Sequence, residues 1–298
     1  MDMLALKVQL TLPLFYTLIM PGDITIEYIR ELKQEIQSLR KRLNDLTAPL
    51  DVMLKRRAFL IHSKEPRDDL LFPDDGCVDD FYRMMKGYAF RLFLRDVIKM
   101  QGGFKTDMVT RYATRDVTEH YISFLREKGF IDQRGESFFL KKGPVKSFGE
   151  TLEWFVTEIF KREFMIEATW GVKFRGRKVG GDYDVIGKID GGLLYMEVKS
   201  SPPRQVYDRE VRAFWSRVID LCPDMAVFLM DTHLRMKDKL VPMFEKELGE
   251  RYDSPPEVKR IKAELFAVED RVFLINAKPS IEGNLETIVS YFLKRRCR

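Results

Sequence analysis

Apolar residues recur along residues 24–46 at alternating intervals of three and four, with charged residues in most of the positions between them. This spacing is typical of the seam of a coiled coil. The pattern predicts a helix, delimited here as residues 23–48. Fewer than three full heptads are present, so the helix would either pair two copies of the chain or pack back on its own body. We favour pairing as a homodimer. The seam consists of Ile29, Leu32, Ile36, Leu39, Leu43 and Leu46.

Residues 1–22 are largely apolar, but Pro13 interrupts them. The run is shorter than the roughly 20 uninterrupted apolar residues of a membrane-spanning helix. It also lacks the positively charged start and small-residue cleavage site of a secretory signal. We therefore expect a strand or docking segment and no membrane partner. A second expectation is that Met20 is the natural start, because a polar helical segment follows it directly.

Residues 49–78 contain prolines and acidic pairs, which predict a linker. The next region, residues 79–147, has the apolar spacing of three helices followed by two short strands. We predict a long helix at 81–100, a short one at 106–113 and a third at 114–128. The third would end at Gly129, which readily adopts a left-handed cap. Its inward positions would be Val117, Tyr121, Phe124 and Leu125. Strands at 130–133 and 137–141 complete the region.

The order of these elements, and the sequence REKGFI at residues 126–131, resemble a winged helix-turn-helix domain. The resemblance implies DNA binding, with the third helix in the major groove and the neighbouring loops on phosphates. Glu119 would repel phosphate and so weaken any tight sequence-specific binding. The alternative is an ordinary solvated face on a protein-interaction module. The resemblance implies groove contacts by Arg115, Thr118, Glu119 and Ser123, and phosphate contacts by Arg111, Arg134, Lys141 and Lys142.

The apolar pattern of residues 148–298 predicts an α/β domain. We expect a helix at 149–164, strands at 182–189 and 193–199, a helix at 205–221 and a buried parallel strand at 225–230. A helix near 237–248, a strand pair at 265–268 and 272–276, and a helix at 281–294 would follow. Basic residues are interleaved with apolar ones in residues 167–179, an arrangement that would hold a nucleic-acid backbone by charge. These basic residues are Lys173, Arg175 and Arg177, with Lys178 beside them.

Asp190-Gly191-Gly192 joins the first two strands, and Asp-Gly is a strong signal for a tight hairpin turn. A turn at Asp190-Gly191 would set Asp184 opposite Glu197, whereas a turn at Gly191-Gly192 would set it opposite Lys199. In both registers strand alternation puts these three charged side chains on one face, beside Asp182, and apolar ones on the other. We therefore expect one face to be core and the other to carry the chemistry.

Two carboxylates that face each other across a strand pair repel. A divalent cation would relieve this repulsion, and Mg²⁺ typically takes one or two carboxylates and completes its shell with water and substrate phosphate. Mn²⁺ is a suitable substitute. Lys199 could orient or deprotonate an attacking water and steady the charge that develops on a phosphate.

Asp184-Val185-Ile186, followed by Glu197-Val198-Lys199 at the spacing D-x12-E-x-K, resembles the PD-(D/E)XK phosphodiesterases, the restriction-endonuclease-like superfamily. The resemblance implies a mixed sheet flanked by helices. It also implies a metal site held by Asp184, Glu197 and the backbone carbonyl of Val198. A local G-x-x-x-E-x-x-V in the preceding helix is similar to the family's first helix and adds Glu153 as a third acidic ligand. The alternative is an exposed sheet face on which Lys199 merely offsets an acid.

The chain of 298 residues has a net charge of +5 and an isoelectric point near 8.9, which permits a polyanionic partner. Three widely separated cysteines form neither a disulfide framework nor a zinc spacing, so a cytoplasmic setting is expected. The sequence has no Gly-rich phosphate loop and no G-x-S-x-G element, which argues against a nucleotide motor and a serine hydrolase.

Together these patterns predict a metal-dependent DNA endonuclease, with residues 79–147 docking the DNA and residues 148–298 cutting it. The family resemblance implies that hydrolysis leaves a 5′ phosphate. The alternative is a non-catalytic DNA-binding regulator whose nuclease-like domain is inactive and serves for dimerisation. A third hypothesis is a nuclease directed at RNA.

Overall fold

The computed structural model describes residues 21–46, 48–71, 75–177 and 179–296. The chain divides into two compact units, residues 1–49 and 50–298. In the first unit, helix α1 (Pro21–Leu46) agrees with the predicted helix. Four apolar seam residues, Ile29, Leu32, Ile36 and Leu39, are between 39% and 52% exposed. The apolar segment predicted for residues 1–20, with Met20, lies outside the described residues.

The second unit is built around a mixed sheet of eight strands, in the order β1-β4-β5-β6-β7-β10-β9-β8. Strand β6 pairs in parallel with β7, and β7 with β10, whereas the other neighbours are antiparallel. Strands β2 and β3 form a separate antiparallel pair. The strands are β1 (Ile61–Ser63), β2 (Ile131–Arg134), β3 (Ser137–Leu140), β4 (Glu167–Phe174), β5 (Tyr183–Ile189), β6 (Gly192–Lys199), β7 (Met225–Met230), β8 (Val258–Lys262), β9 (Leu265–Val268) and β10 (Val272–Asn276).

Helices cover both faces of this sheet. Two short 3-10 helices, Asp75–Cys77 and Pro203–Gln205, lie between the longer elements. The structure therefore has the predicted mixed sheet flanked by helices. The helices are α2 (Leu50–Arg56), α3 (Val78–Met85), α4 (Tyr88–Lys99), α5 (Thr106–Val109), α6 (Arg115–Glu127), α7 (Gly149–Glu163), α8 (Asp208–Leu221), α9 (Leu240–Arg251) and α10 (Ile281–Arg296).

Each face of the sheet has its own apolar core. One core joins the sheet to α7, α10 and the helices of residues 78–127, and the other joins it to α2, α8 and α9. On β6, Leu194 and Met196 belong to the first core, and Leu193 and Tyr195 to the second. The expectation of one apolar and one chemical face is therefore wrong along most of the hairpin. A sheet covered on both faces has buried side chains on both.

Residues 49–78 do not form the predicted linker. Leu50 and Leu54 of α2 are buried in the core on the α8 side, with Phe59 beside them. Strand β1 then pairs with β4 at the edge of the sheet. The prolines and acidic residues predicted a loop, but the preceding apolar residues supply enough buried surface to anchor the segment.

The helical region also differs from the prediction in detail. The expected long helix at 81–100 is two helices, α3 and α4, because Gly87 takes an extended conformation (ψ 116°) between them. The hairpin β2–β3 follows α6, and a single bridge joins Phe104 to Phe138 of β3. Phe81 and Phe90 lie in the same core as Trp154 of α7. The helical region and the sheet thus share one continuous core, and the division at residue 148 stays a prediction.

Helix α6 differs from the prediction at one inward position: Tyr121, Phe124 and Leu125 pack on the core as predicted, whereas Val117 does not. The Val117 amide donates to the Thr114 hydroxyl, which caps the helix. Thr118, Ile122 and Leu125 are consequently buried, whereas Val117 is 39% exposed. The prediction that Val117 points inward is wrong.

Candidate active site

The turn between β5 and β6 fixes which residues face each other. Asp190 and Gly191 both have positive φ, at 43° and 77°, as a two-residue hairpin turn requires. Ile189 pairs with Gly192, and Val185 with Met196. This is the register that sets Asp184 opposite Glu197, and it rules out the alternative that set Asp184 opposite Lys199.

Along strands β4 and β5, the side chains change the face of the sheet on which they lie at Asp184. Residues two apart on a strand normally share a face, yet Trp170 lies in the core on the α7 side and Val172 in the core on the α8 side. Their partners Val185 and Tyr183 divide in the same way. Gly171, with φ 56°, lies at the change, so simple alternation fails at this point.

Asp184 lies on β5 at the point where the faces reverse, and its side chain contacts the backbone of β6. Its side chain is partly buried, and its Oδ2 accepts a hydrogen bond from the backbone N–H of Val198 at 2.8 Å. Burial, and then the negative charge of Glu197, raise the pKa of Asp184 to about 7, against the opposing effect of Lys199. The charge of Glu197 is therefore close enough to disfavour the ionisation of Asp184.

Glu197 is only 2% exposed and receives several donors. Lys199 Nζ donates to Oε1 at 2.7 Å, and Arg217 Nη1 contacts Oε1 at 3.1 Å and Oε2 at 2.9 Å. The Tyr195 hydroxyl donates to Oε2. Burial raises the pKa of Glu197, but Lys199 and Arg217 outweigh it and hold that pKa below its usual range. Glu197 is thus a buried, ionised and fully hydrogen-bonded carboxylate.

Lys199 lies at the end of β6, with about a fifth of its side chain exposed. Burial lowers its pKa, but Glu197 and Asp184 outweigh that effect and raise the pKa above its ordinary value. The ammonium therefore stays charged. In this arrangement Lys199 is suited to orient a water or an anionic oxygen rather than to remove a proton.

Glu153 belongs to the same acidic group, although it lies on α7. Burial raises its pKa well above its usual range, and the charges of Asp184, Glu150 and Glu197 raise it further. Glu153, Asp184 and Glu197 thus lie on three separate elements, α7, β5 and β6, and the charges of the two strand acids reach Glu153. Across the described ranges, no three His, Cys, Asp or Glu side chains converge as a group that could hold a metal ion.

Sequence reasoning missed Arg217 and Tyr195. The apolar pattern of residues 205–221 predicts that Arg217 lies on the polar side of its helix, yet its side chain is only 11% exposed. The available signal is its position: Phe214, three residues before it, and Val218, directly after it, are both buried, so Arg217 lies at the edge of the apolar stripe. A charged residue at that position requires a buried partner, and the partner is Glu197.

The predicted groove-contacting residues of the helical region fall into different environments. Arg115 is exposed and forms ion pairs with Asp107 and Glu119. Thr118 is buried, and its hydroxyl donates to the Thr114 carbonyl, so it cannot reach a groove. Ser123 is partly buried. Arg111, Arg134 and Lys141 are exposed, whereas the amine of Lys142 donates to the carbonyls of Arg67 and Leu70.

The basic residues of β4 and the following loop also separate. Lys173 is exposed and pairs with Asp182 at 3.3 Å, and Arg175 is exposed. Arg177 instead donates to Asp220 and lies over the Phe59 ring, 4.0 Å from its centroid. Arg177 therefore has a structural role, because it ties this loop to α8.

Comparison with protein-family models gives no match, and comparison with curated proteins gives none either. The solved structures that share a weak likeness with this chain include the following two. Protein VC1899 from Vibrio cholerae is 14% identical, with a TM-score of 0.45 over 74% of this chain and 57% of that protein. Can2 from Sulfobacillus thermosulfidooxidans, solved with cyclic tetra-adenylate, is 12% identical, with a TM-score of 0.44 over 71% of this chain and 54% of that protein.

This chain therefore matches little more than half the length of either protein. Both TM-scores are below 0.5, so nothing about the activity of this chain follows from the likeness. Among the described helices, none is both long enough and apolar enough to cross a membrane.

Proposed function

We propose that this protein is a metal-dependent endonuclease that hydrolyses phosphodiester bonds in DNA. One observation carries the proposal: Asp184 Oδ2 accepts from the Val198 N–H at 2.8 Å, next to Glu197, and Lys199 Nζ donates to Glu197 Oε1 at 2.7 Å. These are the residue types and the mutual positions that the D-x12-E-x-K spacing predicts.

The donor set fits a hard divalent cation. Asp184 and Glu197 supply carboxylates from adjacent strands, and Glu153 adds a third acid to the same field. Mg²⁺ needs only one or two carboxylates and leaves its other positions to water and phosphate. A complete cage of protein ligands is therefore not required. Asp184, Glu197, the Val198 carbonyl and Glu153 would hold the ion, and Mn²⁺ would substitute for it.

The bound ion would supply a nucleophilic water and neutralise charge on the phosphate. The protein's own groups have separate tasks. Lys199, which is charged and partly exposed, orients the water and stabilises the developing negative charge. Arg217 and Tyr195 keep Glu197 ionised and fix its orientation, and an ion would have to replace one of the donors that already bind both of its oxygens.

The helical region is assigned to DNA docking. Its helices α4 to α6, the bridge at Phe104 and the hairpin β2–β3 follow the order predicted from the winged-helix resemblance. Arg111, Arg134 and Lys141 are exposed there and suited to phosphate contacts. Buried Thr118 is excluded from the contact set.

Lys199→Ala tests the mechanism. We expect Mg²⁺-dependent cleavage to fall by at least about 100-fold, the order of effect seen when one transition-state donor is removed, while DNA binding persists. Lys262→Ala, an exposed lysine on β8, is the matched control. The substrates are linear, nicked, flapped, branched and single-stranded DNA with Mg²⁺ or Mn²⁺, and EDTA should abolish cutting. Equal cutting by Lys199→Ala and wild type would remove the mechanism.

A second candidate function follows from the contacts of Glu197. Arg217, Lys199 and Tyr195 already satisfy this carboxylate inside the protein, as in a site that no longer needs an ion. The protein would then be a non-catalytic DNA-binding regulator. DNA binding by the full chain, with no metal-dependent cleavage of any substrate in the panel, would favour this candidate.

A further inference from the structure

A cavity of about 540 Å³ lies between the helical region and the loop that follows β6. Ser200 and Ser201, directly after Lys199 in the chain, line one side. The opposite wall comes from α4 and from the segment between α5 and α6. Charged residues dominate the lining: Arg95, Lys99, Arg111, Lys146 and Arg204 are basic, and Asp96 is acidic.

The positive charge of this cavity is largely uncompensated. Among the described acidic residues, none forms an ion pair with Arg111 or Arg204. Lys99 and Lys146 contact acids only at 3.7 Å and 3.5 Å, with side chains at least 70% exposed. Pairs of this kind contribute little in water. An anionic ligand would therefore meet at least four available cations.

Arg95 adds a buried donor to the same cavity. Its Nη2 donates to Asp231, but that single carboxylate also binds Arg91. Within the described part of the molecule, the buried Nε of Arg95 has no hydrogen-bond partner. A buried donor without an acceptor is costly, so the charge of Arg95, which lines the cavity, is only partly compensated by Asp231.

The size and shape of the cavity narrow the ligand class. Its volume falls within the range of about 300–1,000 Å³ that is typical of small-molecule sites. A cavity of this volume cannot enclose a duplex. Tyr112, which also lines the cavity, is exposed, and the Arg111 guanidinium lies over its ring. An aromatic surface beside cations is the arrangement that holds the bases and phosphates of single strands.

We propose that this cavity receives one unpaired strand of DNA, with phosphates held by Arg111 and Arg204 and a base stacked on Tyr112. The proposal rests on the proposed function, since it places this strand beside Lys199. It assigns the substrate class as DNA with an unpaired segment, such as a flap, a branch or a splayed end, rather than uninterrupted duplex.

The test measures binding without cleavage. Fluorescence anisotropy with a short labelled single strand, in EDTA, compares full-length wild type with Arg111→Ala/Arg204→Ala. The control is Lys259→Ala/Lys262→Ala, which removes two exposed charges from β8 outside the cavity. Each lost phosphate contact lowers the slope of log affinity against log salt by about 0.7 for single strands. We expect the cavity variant to lose about 1.4 from this slope, and the control to bind like wild type.

Tyr112→Ala supplies an independent readout, because stacking is insensitive to salt. We expect affinity for the single strand to fall at least about fivefold with an unchanged salt slope. Thermal melting confirms that each variant is folded. A free mononucleotide should compete poorly with the strand. Equal competition by the mononucleotide would indicate a nucleotide pocket and overturn the assignment of a strand.

Two other results would also overturn the proposal: wild-type binding by the cavity variant, or an equal loss of duplex and single-strand binding. The proposed function fails separately, through absence of metal-dependent cutting by wild type. In that case, weaker binding of the single strand by the cavity variant in EDTA would still support the cavity site, because the anisotropy assay requires no catalysis.

Discussion

Two arginines share one buried aspartate directly after β7. Asp231 is fully buried, and Arg91 donates to it from Nε and Nη2 at 2.9–3.1 Å. Arg95 donates to the same carboxylate. The cluster carries two positive charges for one negative charge. The Asp231 carboxylate therefore offsets the repulsion between the two guanidinium groups in a region of low dielectric constant.

Asp231→Ala should destabilise the protein strongly. The change leaves Arg91, which is 1% exposed, without a counter-charge. Breaking a buried pair by removing one partner costs about 3–5 kcal/mol, and we expect a loss of this size in urea denaturation. Asp238→Ala removes an aspartate from an exposed pair with Arg235 and should cost less than about 1 kcal/mol. Equal stability of the two variants would contradict the assignment.

Gly171→Ala should also destabilise, for two separable reasons. Its φ of 56° is unfavourable for an L side chain, at about 1–2 kcal/mol. The new methyl group would also lie 2.5 Å from Pro66 Cδ, and overpacking adds about 1–3 kcal/mol. Gly176→Ala is the control, because it has φ 68° but open space around it. A larger loss at Gly171 in urea denaturation would isolate the contact with Pro66, and equal losses would argue against it.

The elements around the site differ in how far the sequence determines them. Asp190-Gly191-Gly192 specifies the hairpin turn locally, so the turn could be predicted, but two registers stayed open and the pairing of the strands selects between them. The reversal of faces at Gly171 could not, because it depends on distant Pro66 and on cores that cover both faces. Arg217 was missed for the same reason: its partner Glu197 lies on another element, and helix periodicity shows only which side is more apolar.

The orientation of α6, which buries Thr118 and exposes Val117, can be tested directly. We expect Thr118→Asp to cost more than about 3 kcal/mol, because it would bury an unpaired charge at a position that is 0% exposed. Val117→Asp, one position earlier and exposed, should cost no more than about 1 kcal/mol. Thermal or urea denaturation distinguishes them. A larger loss of stability for Val117→Asp than for Thr118→Asp would support the sequence prediction that Val117 points inward.

For the whole molecule, the sequence predicted the α/β class and the order of most elements. It predicted a linker where α2 and β1 join the main unit, and it omitted β8. Both errors concern the edges of the sheet, where short strands lack a strong alternation of their own and form only through pairing with a neighbour. The continuous core between the helical region and α7 is likewise a long-range property.

The open seam of α1 predicts self-association of the full chain. Leu32→Glu/Ile36→Glu places two charges on the apolar seam, which we expect to convert a dimer to a monomer in sedimentation equilibrium. Gln34→Glu/Gln37→Glu adds the same charge off the seam and should leave the dimer intact. A wild-type chain that sediments as a monomer, or a seam variant that still dimerises, would contradict pairing through this helix.

The backbone of Asp231 gives its position a further consequence. Its N–H donates to the Lys199 carbonyl at 2.8 Å, while its side chain binds the two arginines of α4. Asp231 thus connects the two arginines of α4 to the backbone of Lys199, the lysine that we propose acts in catalysis. A shift of α4 would displace the Asp231 carboxylate and, through the Asp231 N–H, the backbone of Lys199, so movement of the helical region would reach the end of β6.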